Sequence, residues 1–222
     1  MFIPHAFGGS DQLTWSWVAC DAPTLLYTLL RMLPEGNPPL LRALEHLVGQ
    51  AVQNGYRCSA SADLGGFHGP GKRLDPCPIA NVYALKALSL RSEYRDHPAA
   101  HLASEMLLGH WQHQKETKYY LFGIGSDFRK LKYPLVWYDI LHACEALSRF
   151  EFVRVNPLFQ DMLGELVCQA DADGYYTAGS MYQAWKGWSF ADKKQPSPWL
   201  TFLVLRIQKR MGELTAGRPR PG

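Results

Sequence analysis

Cys20, Cys58, His68 and Cys77 are the residues of this chain best equipped to act as a set. Cys20 and Cys77 each stand just ahead of a proline that opens an apolar run, Pro23 and Pro78, and Cys58 and His68 lie between those runs. If the two runs are neighbouring helices, all four residues gather at one end of them. Three thiols and an imidazole make a donor set for tetrahedral zinc, the one cofactor the sequence offers. None of the four stands two residues from another, the spacing of structural zinc motifs, so the cysteines read equally as small buried apolar side chains.

Asp139 and His142 form a second set, spaced to put a carboxyl and an imidazole on one helix face as an acid/base pair. They belong to a longer row. Counting from the leading prolines, Thr28, Tyr83, Asp139 and Leu203 occupy one position and Arg31, Lys86, His142 and Arg206 the next on the same face. So polar a row could line a cavity, with Tyr83 and Lys86 as binding residues; cations near helix C-termini are also favoured by the helix dipole alone. Arg129, Lys130 and Lys132, and Trp185, Lys186 and Trp188, combine positive charge with aromatics. That pairing suits a phosphate or carboxylate joined to an apolar body, or a set of aromatics capping the core. His97, His101, His110 and His113 have helical spacing but no acidic partner completing a metalloprotease pattern, and read as structural.

The elements that must position these residues follow from two interleaved proline series. Pro23, Pro78, Pro134 and Pro198 lead apolar runs with a leucine at the same later position, Leu30, Leu85, Leu141 and Leu205. Pro38, Pro98 and Pro157 lead runs ending in Leu47-Val48-Gly49-Gln50, Leu107-Leu108-Gly109-His110 and Leu166-Val167-Cys168-Gln169. Proline suits the first turn of a helix, where its missing N–H has no partner to lose. A recurrence of this length marks a repeat architecture. The spacing predicts helices from Pro23, Pro78, Pro134 and Pro198 to about Leu33, Ser89, Phe150 and Met211, alternating with helices from Pro38, Pro98 and Pro157 to about Gln53, Gln114 and Gln169. The first series is richer in Ala and Leu and forms an inner layer, the second an outer one. The fold class is therefore all-α, an incomplete α/α-toroid-like array of about three and a half hairpins. It is read as a single domain over 1–214, with a disordered tail over 215–222. Links from outer to inner helices are long (54–77, 115–133, 170–197) and rich in Gly, aromatics and basic residues, so a binding cavity is expected on their face.

The chain resembles the α/α-toroid superfamily of terpenoid cyclases and protein prenyltransferases, in particular small bacterial squalene-cyclase-like proteins. The resemblance runs roughly from Asp11 to Arg210. It rests on the double helical layer and on Gln169-Ala170-Asp171-Ala172-Asp173-Gly174-Tyr175-Tyr176, which looks like a cyclase Gln/Trp repeat with Gly one place late and Tyr for Trp. It implies a hydrophobic central cavity, a prenyl-type or polycyclic substrate and, for an enzyme, lyase, isomerase or transferase chemistry. The sequence contains neither an Asp-rich metal–diphosphate motif nor an Asp-x-Asp-Asp protonation motif.

Composition narrows the classes further. The chain has 222 residues, 47% of them hydrophobic, and a net charge of +3, too small to point to nucleic acid. No uncharged stretch reaches the length of a membrane span, and the N-terminus does not read as a signal peptide. Five widely spaced cysteines fit a reduced, cytoplasmic protein. The leading expectation is a protein binding an amphipathic anionic ligand such as an isoprenoid. Its alternatives are a scaffold taking a protein or peptide on its concave face and a carbohydrate-binding, polysaccharide-lyase-like protein. Trp199, Phe202, Leu203 and Ile207, on a last helix with no outer helix after it, point to a homodimer.

Overall fold

The computed structural model describes residues 18–60, 74–114, 126–133, 138–181, 183–188 and 192–216. They divide between two compact units, Met1–Gly123 and Ile124–Gly222. Among the described residues the structure is helical and contains no strand beyond isolated bridges, so the fold is all-α.

The first unit holds α1 (Asp21–Met32), α2 (Pro38–Gly49), α3 (Pro78–Leu88) and α4 (Pro98–Gln112). Helix starts follow the prolines. Asn37 caps α2 by accepting from the Leu40 N–H, and the His97 ring caps α4 by accepting from the Ala99 N–H, each just ahead of a proline. α3 is the centre of the unit, packed on α1 and on α4. Ala80, Val82, Ala84, Leu85, Ala87 and Leu88 are all buried on it, so it is covered on every side. Its alanines let both neighbours approach closely.

The second unit holds α5 (Ser126–Arg129), α6 (Ile140–Leu147), α7 (Glu151–Arg154), α8 (Pro157–Val167) and α9 (Pro198–Ala216). Here α6 is central, packed on α8 and α9, and every one of its residues is buried. Its beginning differs from the sequence expectation. Pro134 lies outside the described residues, and the described helix begins at Ile140. Asp139 is extended (φ −137°, ψ 173°) and caps it through the His142 N–H, so it precedes the helix instead of standing within it. Two further differences are small: the link expected over 151–156 contains the turn α7, and α9 continues past Met211 into the segment read as a tail.

The two units start a helix by the same device. In the first, Cys77 N–H donates to the Tyr56 carbonyl (2.8 Å), and Asn81 of α3 both accepts from the Tyr56 N–H (2.9 Å) and donates to its carbonyl (3.0 Å). In the second, Ser197 N–H donates to the Tyr176 carbonyl (2.8 Å), and Thr201 of α9 accepts from the Tyr176 N–H (3.1 Å). Pro76-Cys77-Pro78 and Pro196-Ser197-Pro198 stand at the same spacing from their tyrosines, with antiparallel bridges Arg57–Pro76 and Thr177–Pro196. Within each of the 54–77 and 170–197 links the two ends are thus paired with each other. Gly55 is required here: its φ is 72°, and a β-carbon would fall 2.1 Å from the Asn81 Oδ1.

Candidate functional site

Three of the four residues expected to hold zinc are brought together in the first unit. Cys20 precedes α1 and Cys77 precedes α3, while Cys58 lies on the strand-like pairing between them. Ala19 N–H donates to the Ser59 carbonyl and Cys58 N–H to the Asp75 carbonyl, both at 2.7 Å. The Cys77 thiol is hydrogen-bonded to Cys20 and to Cys58, a connection that lifts its pKa well above the ordinary thiol value. The same bond is the largest influence on Cys20 and lowers its pKa, against the effect of burial. All three are unbridged; Cys58 and Cys77 are buried and Cys20 is partly exposed. His68 lies outside the described residues, and among those described no three His, Cys, Asp or Glu side chains are arranged to hold a metal ion.

Asp139 and His142 are both buried, and the contact between them joins the Asp139 carboxylate to the His142 backbone N–H (2.7 Å). Burial is the main cause raising the Asp139 pKa to about 7, opposed by that bond and one from the Lys132 N–H. A carboxyl this buried acts here as the helix cap, with its Oδ2 left without a hydrogen-bond partner among the described residues.

The expected binding residues are scattered. Lys86 is buried with its ammonium over the rings of Tyr27 (4.8 Å) and Tyr83 (4.7 Å), a closed cation–π cage. Lys132 and Lys130 both pair with Asp127, at 2.6 and 3.6 Å, and Arg129 pairs with Glu165 of α8 at 3.2 Å. Trp185, Lys186 and Trp188 occupy a turn of which Lys186 and Trp188 are exposed. Two of the long links do meet: the Leu131 carbonyl accepts from the Gly179 (3.0 Å) and Ser180 (3.3 Å) N–H groups. Of the links that form the expected face, 61–73, 115–125, 182 and 189–191 lie outside the described residues. At the short-link end of the first unit a small cleft is lined by Leu30, Pro34, Glu35, Gly36, Asn37, Leu40, Leu90 and Arg91.

The densest charge lies elsewhere. Glu145, 0% exposed on α6, is shared by Arg149 (2.7 Å), Arg206 (2.9 Å) and Arg210 (3.3 Å). Arg210 also donates to the Ser148 hydroxyl at 2.9 Å and to the Glu145 carbonyl at 3.2 Å. Among the described residues one carboxylate is shared by three guanidiniums. Burial lowers the Arg210 pKa; Glu145 pulls it up, and Arg149 and Arg206 push it down again. From this cluster an aromatic path runs up α9. The Arg206 guanidinium lies 5.4 Å from the Phe202 ring, Phe202 meets Trp199 edge-on at 6.3 Å, and Trp199 stacks on Tyr133 at 6.1 Å. Phe202 and Trp199 are exposed.

Sequence reasoning placed Arg206 in its polar row but passed over Glu145, Arg149 and Arg210. The signal was present: Ile140-Leu-His-Ala-Cys-Glu-Ala-Leu147 sets a carboxylate into an apolar helix, and a buried carboxylate demands partners. Arg149 and Arg210 each stand at four-residue spacing from another member of the cluster, Glu145 and Arg206.

No family model, curated protein or solved structure matches this chain. The geometry alone carries the functional reading. Among the described residues no helix is long and apolar enough to cross a membrane.

Proposed function

We propose that the protein binds an amphipathic anion, an isoprenoid phosphate or a molecule of that kind, along α9. The observation that carries this is the sharing of buried Glu145 by three arginines. Arg206 and Arg210 gather half-buried with Arg149 on one carboxylate, and planar guanidiniums pair well with phosphate oxygens. Among the described residues the buried Nε of Arg206 has no partner, which leaves a donor unused. Phe202 and Trp199 extend from Arg206 as an exposed apolar track, the length and character a prenyl chain needs. The same reading takes the proline-led hairpins as an incomplete α/α toroid of the terpenoid cyclase and prenyltransferase kind. Asp139 and His142 are sealed away from this track, which favours binding without turnover.

Native mass spectrometry of the purified protein, alone and with farnesyl diphosphate, inorganic diphosphate or farnesol, tests the proposal. The expected result is an adduct with farnesyl diphosphate that weakens when either half is removed and disappears in Arg206→Ala/Arg210→Ala. Equal retention of farnesol, or an adduct indifferent to both arginines, overturns it.

A second reading, self-association, is favoured by the apolar stripe of α1. Leu25, Leu29 and Met32 are exposed at helical spacing on one side of that helix. In the second unit the residues first expected to drive dimerisation divide: Trp199 and Phe202 are exposed, while Leu203 and Ile207 are buried. Light scattering reporting a dimer that Leu29→Lys returns to monomer supports self-association; a wild-type monomer at high concentration removes it.

A further inference from the structure

α9 is apolar on two sides. Leu200, Leu203, Val204 and Ile207 are buried, as a helix packed on α6 requires. Trp199, Phe202 and Leu205 are each at least half exposed and follow one another at three-residue spacing, so they form one outward row. Lys209, also exposed, extends that row by a turn. Large apolar side chains gathered in a row on one exposed face mark a surface that something covers.

The charge beside the row says what that is. From Pro198 to Gly222 the sequence has five basic residues (Arg206, Lys209, Arg210, Arg218, Arg220) against one acidic, Glu213. Arg206 and Arg210 share Glu145, whereas Lys209 makes no ion pair among the described residues. A covering partner must therefore be apolar beside Trp199, Phe202 and Leu205 and anionic one turn further on. The surface of a bilayer containing anionic lipid offers both, an acyl boundary and a layer of phosphates above it. Trp199 lies parallel to the Tyr133 ring at 6.1 Å, and tryptophan and tyrosine favour that boundary. Among the described residues no helix is long and apolar enough to cross a membrane, so α9 meets such a surface lying along it.

We infer that the outward row of α9 docks the protein on an anionic membrane surface. The helix lies in the plane of the head groups, Trp199, Phe202 and Leu205 enter the acyl boundary, and Lys209 with Arg206 and Arg210 meets lipid phosphates. This deepens the α9 reading above by naming where an amphipathic anion is met, and it rests on that reading only in assigning the two arginines to phosphate. Leu205 and Lys209 stand off the path from Arg206 through Phe202 to Trp199, so they serve the docking alone.

The test is co-sedimentation of the full chain with vesicles of phosphatidylcholine alone and of phosphatidylcholine mixed with phosphatidylglycerol, neither holding an isoprenoid. The protein should pellet with the mixed vesicles only, and less so as salt is added. Leu205→Ser and Lys209→Gln, both at exposed positions that folding does not need, should lower partitioning about tenfold and about fivefold. Leu25→Ser, at a comparably exposed leucine of α1, should leave it unchanged. Equal loss in Leu25→Ser, or equal binding to both kinds of vesicle whatever the salt, overturns the inference. So does a protein that ignores vesicles and forms a dimer broken by Leu205→Ser, since the row then covers a second copy. The farnesyl diphosphate adduct is measured on the same variants without vesicles. An adduct without vesicle binding overturns the docking and keeps the ligand reading; vesicle binding that needs Leu205 and Lys209, without an adduct, keeps the docking and removes the ligand reading.

Discussion

In the first unit the residue that holds the tyrosine backbone at the helix start is Asn81, with three hydrogen bonds: two to Tyr56 and one to the Cys77 carbonyl (2.8 Å). In the second the place belongs to Thr201, with one bond from Tyr176 and one to the Ser197 carbonyl (3.0 Å). Further along the central helices, Lys86 of α3 rests in a cage of two tyrosines, whereas Glu145 of α6 gathers three arginines. Lys86 precedes Ser89 as Glu145 precedes Ser148, and each serine hydroxyl donates to the carbonyl of that charged residue. The frame is repeated and the charges on it are not. In the first unit the buried cation lies against two rings; in the second the buried anion is shared by three cations. A repeated scaffold can thus carry a buried cation on one unit and a buried anion on the other with no change of backbone plan.

Substitutions that strike the corresponding positions sharpen this contrast. Glu145→Gln should have the largest effect, a loss of about 3–5 kcal/mol in urea unfolding, because it strands three arginines around a neutral amide. Asn81→Ala and Thr201→Val each leave a tyrosine N–H buried without its partner, at about 1–3 kcal/mol, and Asn81 should cost more because it also gives up two further bonds. Equal effects would mean that the two starts are energetically the same device despite their different residues.

Asp139 makes the comparison depend on pH. Its pKa rises from 3.8 in the unfolded chain to about 7 in the folded one. Between those values the folded state keeps a proton that the unfolded state has released, so stability is greatest at the acid end and falls as pH rises, by about 1.4 kcal/mol per pH unit. Above about pH 7 this contribution levels off. Asp139→Asn keeps an oxygen for the His142 N–H and removes the titration, so unfolding curves from pH 4 to 7 should lose that slope. The smallest effect is expected at Lys86→Met, about 1 kcal/mol, the size of a cation–π attraction, since the rings can close over an apolar chain.

Much of the fold could be read from the sequence because prolines and apolar spacing are local signals. Five of the seven expected helices begin at their prolines, Pro38, Pro78, Pro98, Pro157 and Pro198; α1 begins at Asp21, ahead of Pro23, and Pro134 lies outside the described residues. α6 was misjudged at its start because Asp139 looks the same in sequence whether it caps a helix or stands inside one. The meeting of Cys20, Cys58 and Cys77 followed from placing two helix starts side by side. The arginine cluster could not be found that way: it depends on which face of α9 packs on α6, a matter of tertiary contact that brings Arg206 and Arg210 to a glutamate far away in sequence. The cage around Lys86 could not be read from sequence for the same reason, being completed by Tyr27 from another helix.

The measurement closest to the central claim is a fluorescence titration of Trp199, using the wild type and Trp199→Phe to isolate its signal, with farnesyl diphosphate, inorganic diphosphate and farnesol. The account predicts a saturable change with farnesyl diphosphate, weaker binding of either fragment, and loss of binding in Arg206→Ala/Arg210→Ala with the helical signal intact. A titration in which farnesol matches farnesyl diphosphate, or in which the double variant binds as the wild type does, would contradict it.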